Sequence, residues 1–169
     1  SPLADTSLPD AGFVYLPGGY PELYLAALSA NRQMLQSIRR YVESGGKLLA
    51  ECGGMMYLCD EIRDKNGDVY PMAGVLHQSA TMENMKLRLG YRTLLYNETR
   101  LKGHEFHYSR LVEQQNPLPS CAVAYTAKGV ETDTPLYHYK NVWAGYTHLY
   151  WADPVGNEWF TKFVIDGNT

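Results

Sequence analysis

Cys52 lies in Ala50-Glu51-Cys52-Gly53-Gly54, a run of the form small-x-nucleophile-x-small. Those residue types in that order suit a nucleophile elbow, where a reactive side chain stands on a strained turn between a strand and a helix. Small neighbours two places before and after relieve the crowding such a turn creates. The elbow aims the sulfur out of the carboxyl edge of a sheet. The positive N-terminus of the following helix stabilises charge on that sulfur, and the N–H of Gly53 is free to hold an oxyanion. A buried cysteine at an ordinary strand end fits the same five residues. Cys59 and Cys121 lack this setting and read as structural thiols. Three cysteines without a CxxC pair predict neither a disulfide framework nor a zinc site, and reduced thiols suit a cytoplasmic protein.

A second stretch with chemical potential is Leu16-Pro17-Gly18-Gly19-Tyr20-Pro21-Glu22. Its glycines let backbone N–H groups approach a ligand closely, and Gly19 could be a second oxyanion donor. A plain turn from strand to helix is the simpler reading. No Gly-Lys-Ser/Thr follows, so a phosphate loop is disfavoured. A thiol nucleophile also needs a base to manage its proton and to protonate a leaving amine. The candidates are His77, His104, His107, His138 and His148. His148 follows an apolar strand within Trp143-Ala144-Gly145-Tyr146-Thr147-His148-Leu149-Tyr150-Trp151, which puts it near the sheet edge. Gly103-His104-Glu105-Phe106-His107-Tyr108-Ser109 is rich in polar groups for a strand and could contact a substrate.

The elements that must position these residues alternate along the first third of the chain. Residues 11–16 and 47–51 are short apolar runs that read as buried parallel strands. A helix is expected from Pro21, which suits a first helical turn. Another follows Asn31, a good N-cap, with Met34, Leu35, Ile38, Tyr41 and Val42 at helical spacing and Gly45-Gly46 as its stop. After Cys52, the spacing of Met55, Leu58, Cys59 and Ile62 predicts a third helix. This order implies an α/β fold whose parallel sheet is covered on both faces, with sites at its carboxyl edge. Asp64-Lys65-Asn66-Gly67-Asp68 marks a turn, and residues 75–112 read as antiparallel strands. Further strands are expected near 120–127, 134–140 and 141–147, and a last helix near 154–165.

The whole has the length of one domain, residues 1–169. Its formal net charge of −3 and scattered basic residues argue against a nucleic-acid or anionic-membrane partner. No apolar run nears the roughly 20 residues of a membrane span, and no signal-peptide pattern opens the sequence.

Together, LPGGYPEL, AECGGMMYL, GHEFHYS and GYTHLYW, in order over nearly the whole chain, resemble the glutamine amidotransferase domain of the cobyrinate a,c-diamide synthase family. The resemblance implies a flavodoxin-like three-layer sandwich with a mostly parallel sheet, antiparallel strands in the middle of the chain, and an incomplete N-terminus. It implies that Cys52 attacks the side-chain amide of glutamine, that His148 is the base, and that the Gly19 and Gly53 amides form the oxyanion hole. Glu105, His107 and Ser109 are expected near the glutamine α-amino and α-carboxylate groups, which need polar partners when buried. No metal or cofactor is expected in this segment. ATP and Mg2+ are expected in an upstream synthetase domain of the same chain, which would use the ammonia to amidate the a- and c-carboxylates of cobyrinic acid. Related tetrapyrroles, hydrogenobyrinate or nickel sirohydrochlorin, are alternative acceptors, and a stand-alone cysteine hydrolase is a more distant one.

Two positions depart from the wider superfamily. Many members carry Glu two residues after the histidine and Gln four residues after the nucleophile; here those residues are Tyr150 and Met56. The third member of a triad is left open. Asp153 is a candidate by proximity, while strand alternation points Glu51 away from Cys52. In the family a strand, a helix and a further strand precede the first strand seen here. That strand is therefore expected to lack a neighbour on one side, and such an edge favours a homodimer or aggregate.

Overall fold

The computed structural model describes residues 1–166. The chain runs through β1 (Phe13–Leu16), a 3-10 turn (Pro21–Leu23), α1 (Leu25–Ala30), α2 (Arg32–Glu43), β2 (Lys47–Glu51) and α3 (Gly53–Leu58). It continues through β3 (Glu61–Arg63), β4 (Val69–Pro71), β5 (Ser79–Thr81), β6 (Arg88–Tyr96), β7 (Thr99–His107) and β8 (Arg110–Leu111). Last come β9 (Val123–Thr126), β10 (Glu131–Thr132), β11 (Leu136–Tyr139), β12 (Val142–Gly145), β13 (His148–Leu149) and α4 (Pro154–Asp166).

The central sheet has the order β1-β2-β12-β11. Its first three strands are parallel and β11 is antiparallel. Period-two alternation splits its side chains between two cores. Leu48, Ala50, Val142 and Ala144 face the helices α1, α2 and α3, whose Leu28, Ile38, Val42 and Met55 complete one core. Leu49 and Trp143 face the opposite way, onto Leu94 and Leu101 of the β6–β7 hairpin and Trp159 and Phe163 of α4. These are the two covering layers. β1 has β2 on one side and no strand on the other among the described residues.

α2 forms where its apolar spacing predicts. The Asn31 side chain accepts the Met34 N–H at 3.3 Å, and Gly45 ends the helix at φ +90. Two other helices are shorter than their sequence patterns suggest. The run from Pro21 breaks at Tyr24, with φ −133 and ψ 18, so a 3-10 turn precedes α1. α3 stops at Leu58, and Ile62 lies in β3 instead. Past Leu58 the backbone finds non-local partners: the Gly74 N–H donates to the Cys59 carbonyl, and Asp60 exchanges bonds with Met72 and Gln78. Tertiary hydrogen bonds here override the local helical spacing.

The remaining strands form two sheets, β10-β9-β6-β7-β13 and β4-β3-β5-β8. β13 pairs antiparallel with β7, setting His148 opposite His104. This pairing carries the GHEFHYS segment across to the carboxyl edge of the central sheet. No helix of the described residues is long and apolar enough to cross a membrane.

Candidate active site

The turn after β2 has the strain an elbow requires. Cys52 takes φ 50 and ψ −110, a region an L residue seldom adopts. Its N–H donates to the Gly145 carbonyl at 2.8 Å, tying the turn to β12. α3 begins at the next residue. The two glycines there are sterically required: a Cβ on Gly54 would lie 2.2 Å from the Leu16 carbonyl oxygen, and one on Gly53 would lie 2.5 Å from the Gly19 carbonyl oxygen. The glycine loop therefore packs directly onto the elbow. Gly53 is the first residue of α3, so its N–H has no partner within the helix.

His148 comes in from β13. Its ring stacks on that of His104, with centroids 5.0 Å apart and planes at 20°. Interaction with the Cys52 side chain first, and with the Glu51 carboxylate next, raises the His148 pKa to about 9. The structure thus brings Cys52 and His148 together. Burial first, and then the charge of the neighbouring His148, lower the pKa of His104.

Glu51 is a residue sequence reasoning set aside. It is 3% exposed, and it shares a sheet face with Leu49, opposite Ala50. On that face Oε2 accepts the Tyr15 hydroxyl at 2.7 Å, and Oε1 accepts the Leu149 N–H at 3.0 Å. Oε2 also lies 3.7 Å from Nδ1 of His148. Alternation does turn Glu51 away from the neighbouring core, but toward the histidine. Asp153 is engaged elsewhere: Lys102 lies 2.9 Å away and is the main reason its pKa is lowered, followed by N–H groups at the start of α4.

A small cleft opens beside the sulfur. Its lining includes Gly19, Cys52, Met56, His107 and Ser109, together with Tyr20, Phe106 and Tyr108. The interior volume is about 10 Å³. Glu22 also lines it, and burial raises its pKa. That carboxylate belongs to the glycine-loop motif but attracts no attention as sequence.

His107 and Ser109 thus lie in the Cys52 cleft, whereas Glu105 lies behind it. His107 stacks on Tyr146, 3.8 Å and 7° apart, and burial lowers its pKa. The Ser109 hydroxyl sits 3.0 Å from the Tyr146 hydroxyl and 3.3 Å from the Met56 sulfur. Glu105 is fully buried, 2.9 Å from Arg92 and 3.5 Å from the Thr147 hydroxyl. A larger cavity of about 460 Å³ adjoins the cleft and shares His107 with it. The other candidate histidines are remote from the cleft lining: His138 stacks on Trp143, and His77 is an exposed neighbour of Asp60. Among the described residues no group of three His, Cys, Asp or Glu side chains could hold a metal ion.

A family described as the CobB/CobQ-like glutamine amidotransferase domain matches residues 1–155. A hydrogenobyrinate a,c-diamide synthase from Pseudomonas aeruginosa is 39% identical over 155 residues, covering 89% of this chain and 34% of the relative. A cobyrinate a,c-diamide synthase from Salmonella typhimurium is 35% identical over 160 residues, covering 90% of this chain and 35% of the relative. The chain spans about a third of the length of these curated relatives. Among solved structures, a glutamine amidotransferase superposes with a TM-score of 0.58 at 18% identity, over 90% of this chain and 79% of that one. PurLQS from Thermotoga maritima gives 0.56 at 17% identity, over 86% and 72%. These two likenesses concern the fold, the α/β arrangement of glutamine amidotransferases. With its family match, its relatives and its fold in agreement, this chain belongs to the CobB/CobQ-like glutamine amidotransferase domain family of enzymes.

Proposed function

We propose that this chain hydrolyses glutamine at Cys52 and supplies ammonia to an ATP-dependent amidation of the a- and c-carboxylates of cobyrinic acid. One observation carries the reading: a strained elbow cysteine in side-chain contact with His148, beside a glycine loop. His148 takes the thiol proton as the Cys52 sulfur attacks the δ-carbonyl carbon of glutamine, forming a C–S bond and opening the carbonyl π bond onto oxygen. The oxyanion takes hydrogen bonds from the N–H groups of Gly19 and Gly53. His148 gives its proton to the departing nitrogen as the C–N bond breaks, releasing ammonia and leaving a glutamyl thioester. Water then attacks the thioester, His148 accepts a proton, and glutamate leaves as the thiol reforms.

His107 and Ser109 contribute polar contacts in the cleft, and the Glu22 carboxylate suits the α-ammonium group of the substrate. Burial disfavours that carboxylate's charge, and a cation beside it would offset the cost. Glu22→Gln should then raise the glutamine KM more than it lowers kcat, and an unchanged KM removes Glu22 from this role. Glu105 acts from behind, holding Arg92 and the end of β7. ATP, Mg2+ and the tetrapyrrole belong to a synthetase domain elsewhere in the full-length protein. Relatives named for cobyrinate and for hydrogenobyrinate leave both as acceptors, with a nickel tetrapyrrole precursor as a third.

In the full-length protein, Cys52→Ala should abolish glutamine-dependent amidation and spare amidation driven by ammonium salts. Equal glutamine-dependent rates in the variant and the parent would refute the proposal.

A further inference from the structure

We propose that Glu51, the residue just before the nucleophile, is the positioning residue for His148. The inference rests on the roles given above to Cys52 and His148, and adds the group that orients the base.

Two residues beyond His148 stands Tyr150, which bears no carboxylate. Glu51 reaches the same imidazole from a different strand, its Oε2 lying 3.7 Å from Nδ1. That separation is longer than a direct hydrogen bond, but the carboxylate itself is firmly fixed. Tyr15 on the neighbouring strand donates to Oε2 at 2.7 Å, and the backbone of Leu149, the residue after His148, donates to Oε1 at 3.0 Å. Burial, and then Glu51, push the Tyr15 hydroxyl pKa upward, so it remains a donor. A buried acid with two such donors has little freedom. One of them fixes the distance between the carboxylate and the His148 backbone.

The ring it faces is confined as well. His104 stacks on it, and Gly18 lies against its Cε1 edge. A carboxylate at Nδ1 favours the tautomer that carries its proton there. Nε2 is then left to exchange a proton with the thiol and the leaving nitrogen. The charge also stabilises the imidazolium that forms when Cys52 gives up its proton. Glu51 touches neither substrate nor sulfur in this scheme, and all of its effect passes through His148.

Glu51 could instead serve only to pin β13 to β2 through the Leu149 N–H. Glu51→Gln separates the two roles, because the amide oxygen still accepts that N–H while the charge is gone. In the full-length protein, glutamine hydrolysis by Glu51→Gln should fall about 10²–10⁴-fold in kcat. The glutamine KM should change by less than about threefold, and the histidine limb of the pH profile should move to lower pH. Glu51→Asp should recover part of the rate. Ammonia-driven amidation, which bypasses Cys52, should be unchanged, and an unaltered circular dichroism melting curve of the domain reports its intact fold. Hydrolysis within about threefold of the parent, with an unmoved pH profile, overturns the proposal. If Glu51→Gln does not fold, 15N-histidine spectra of the parent, recorded above the His148 pKa of about 9, decide. A neutral His148 carrying its proton on Nδ1 supports the proposal, and one carrying it on Nε2 overturns it. Loss of hydrolysis in Cys52→Ala, with Glu51→Gln unaffected, defeats the role of Glu51 alone. Hydrolysis that survives Cys52→Ala defeats the underlying reading.

Discussion

Gly18 and the ring of His148 are in a contact that leaves no room for a side chain. A Cβ on Gly18 would stand 2.2 Å from Cε1 and 3.0 Å from Nε2 of the imidazole. The glycine loop therefore packs against the His148 ring as well as lining the cleft. Gly18→Ala should push the ring by the order of an ångström, and a displacement of that size can cost about 10²-fold in rate. Glutamine hydrolysis should drop to that extent while the melting temperature changes little. A rate within a factor of about two of the parent would mean that the ring has slack this packing does not show.

Arg92 and Glu105 form an ion pair with side chains only 10% and 0% exposed. Burial makes such a pair costly to break one-sidedly, because the remaining charge keeps its desolvation penalty. Arg92→Met should lose about 3–5 kcal/mol of unfolding free energy in a urea titration. Adding Glu105→Leu to it should recover a substantial part of the loss. Two additive losses would show that the residues act independently and that the pairing contributes nothing.

The proton on His148 gives a pH-dependent signature. Its pKa rises from an ordinary 6.5 to about 9, first through Cys52 and then through Glu51. The folded state therefore holds this proton more tightly than the unfolded chain. The associated stabilisation is complete below about pH 6.5 and is lost as the pH climbs through 9. The His148 ring resonance should titrate near the upper value in the parent and move down in Cys52→Ala, which removes the largest cause. A parent midpoint at or below 6.5 contradicts the coupling.

The parts of the site that were legible as sequence are those encoded locally. Ala50 to Gly54 carries the strained turn and the close approach of α3 to Leu16 within five residues. Asn31 and Gly45 bound α2 through their own side chain and dihedral angle. Glu51 could not be read in that way. Its partners, Tyr15 and Leu149, lie 36 and 98 residues away, and only the assembly of β1, β2 and β13 brings them together. The end of α3 was hidden for a related reason, since non-local hydrogen bonds capture the chain after Leu58. The polar run at 103–109 was visible as a unit. How it divides, with Glu105 against Arg92 and His107 in the cleft, depends on what packs on β7.

The central claim is that Cys52 is the nucleophile, and chemical labelling tests it most directly. Cys59 is fully buried, with its thiol pKa pushed far upward by that burial, and burial pushes Cys121 up to about 11. Neither should react readily near neutral pH. A diazoketone analogue of glutamine, added to the full-length protein and followed by peptide mass mapping, should place one adduct on Cys52. Excess glutamine should protect that site. An adduct on Cys59 or Cys121, or undiminished labelling in Cys52→Ala, would contradict the assignment.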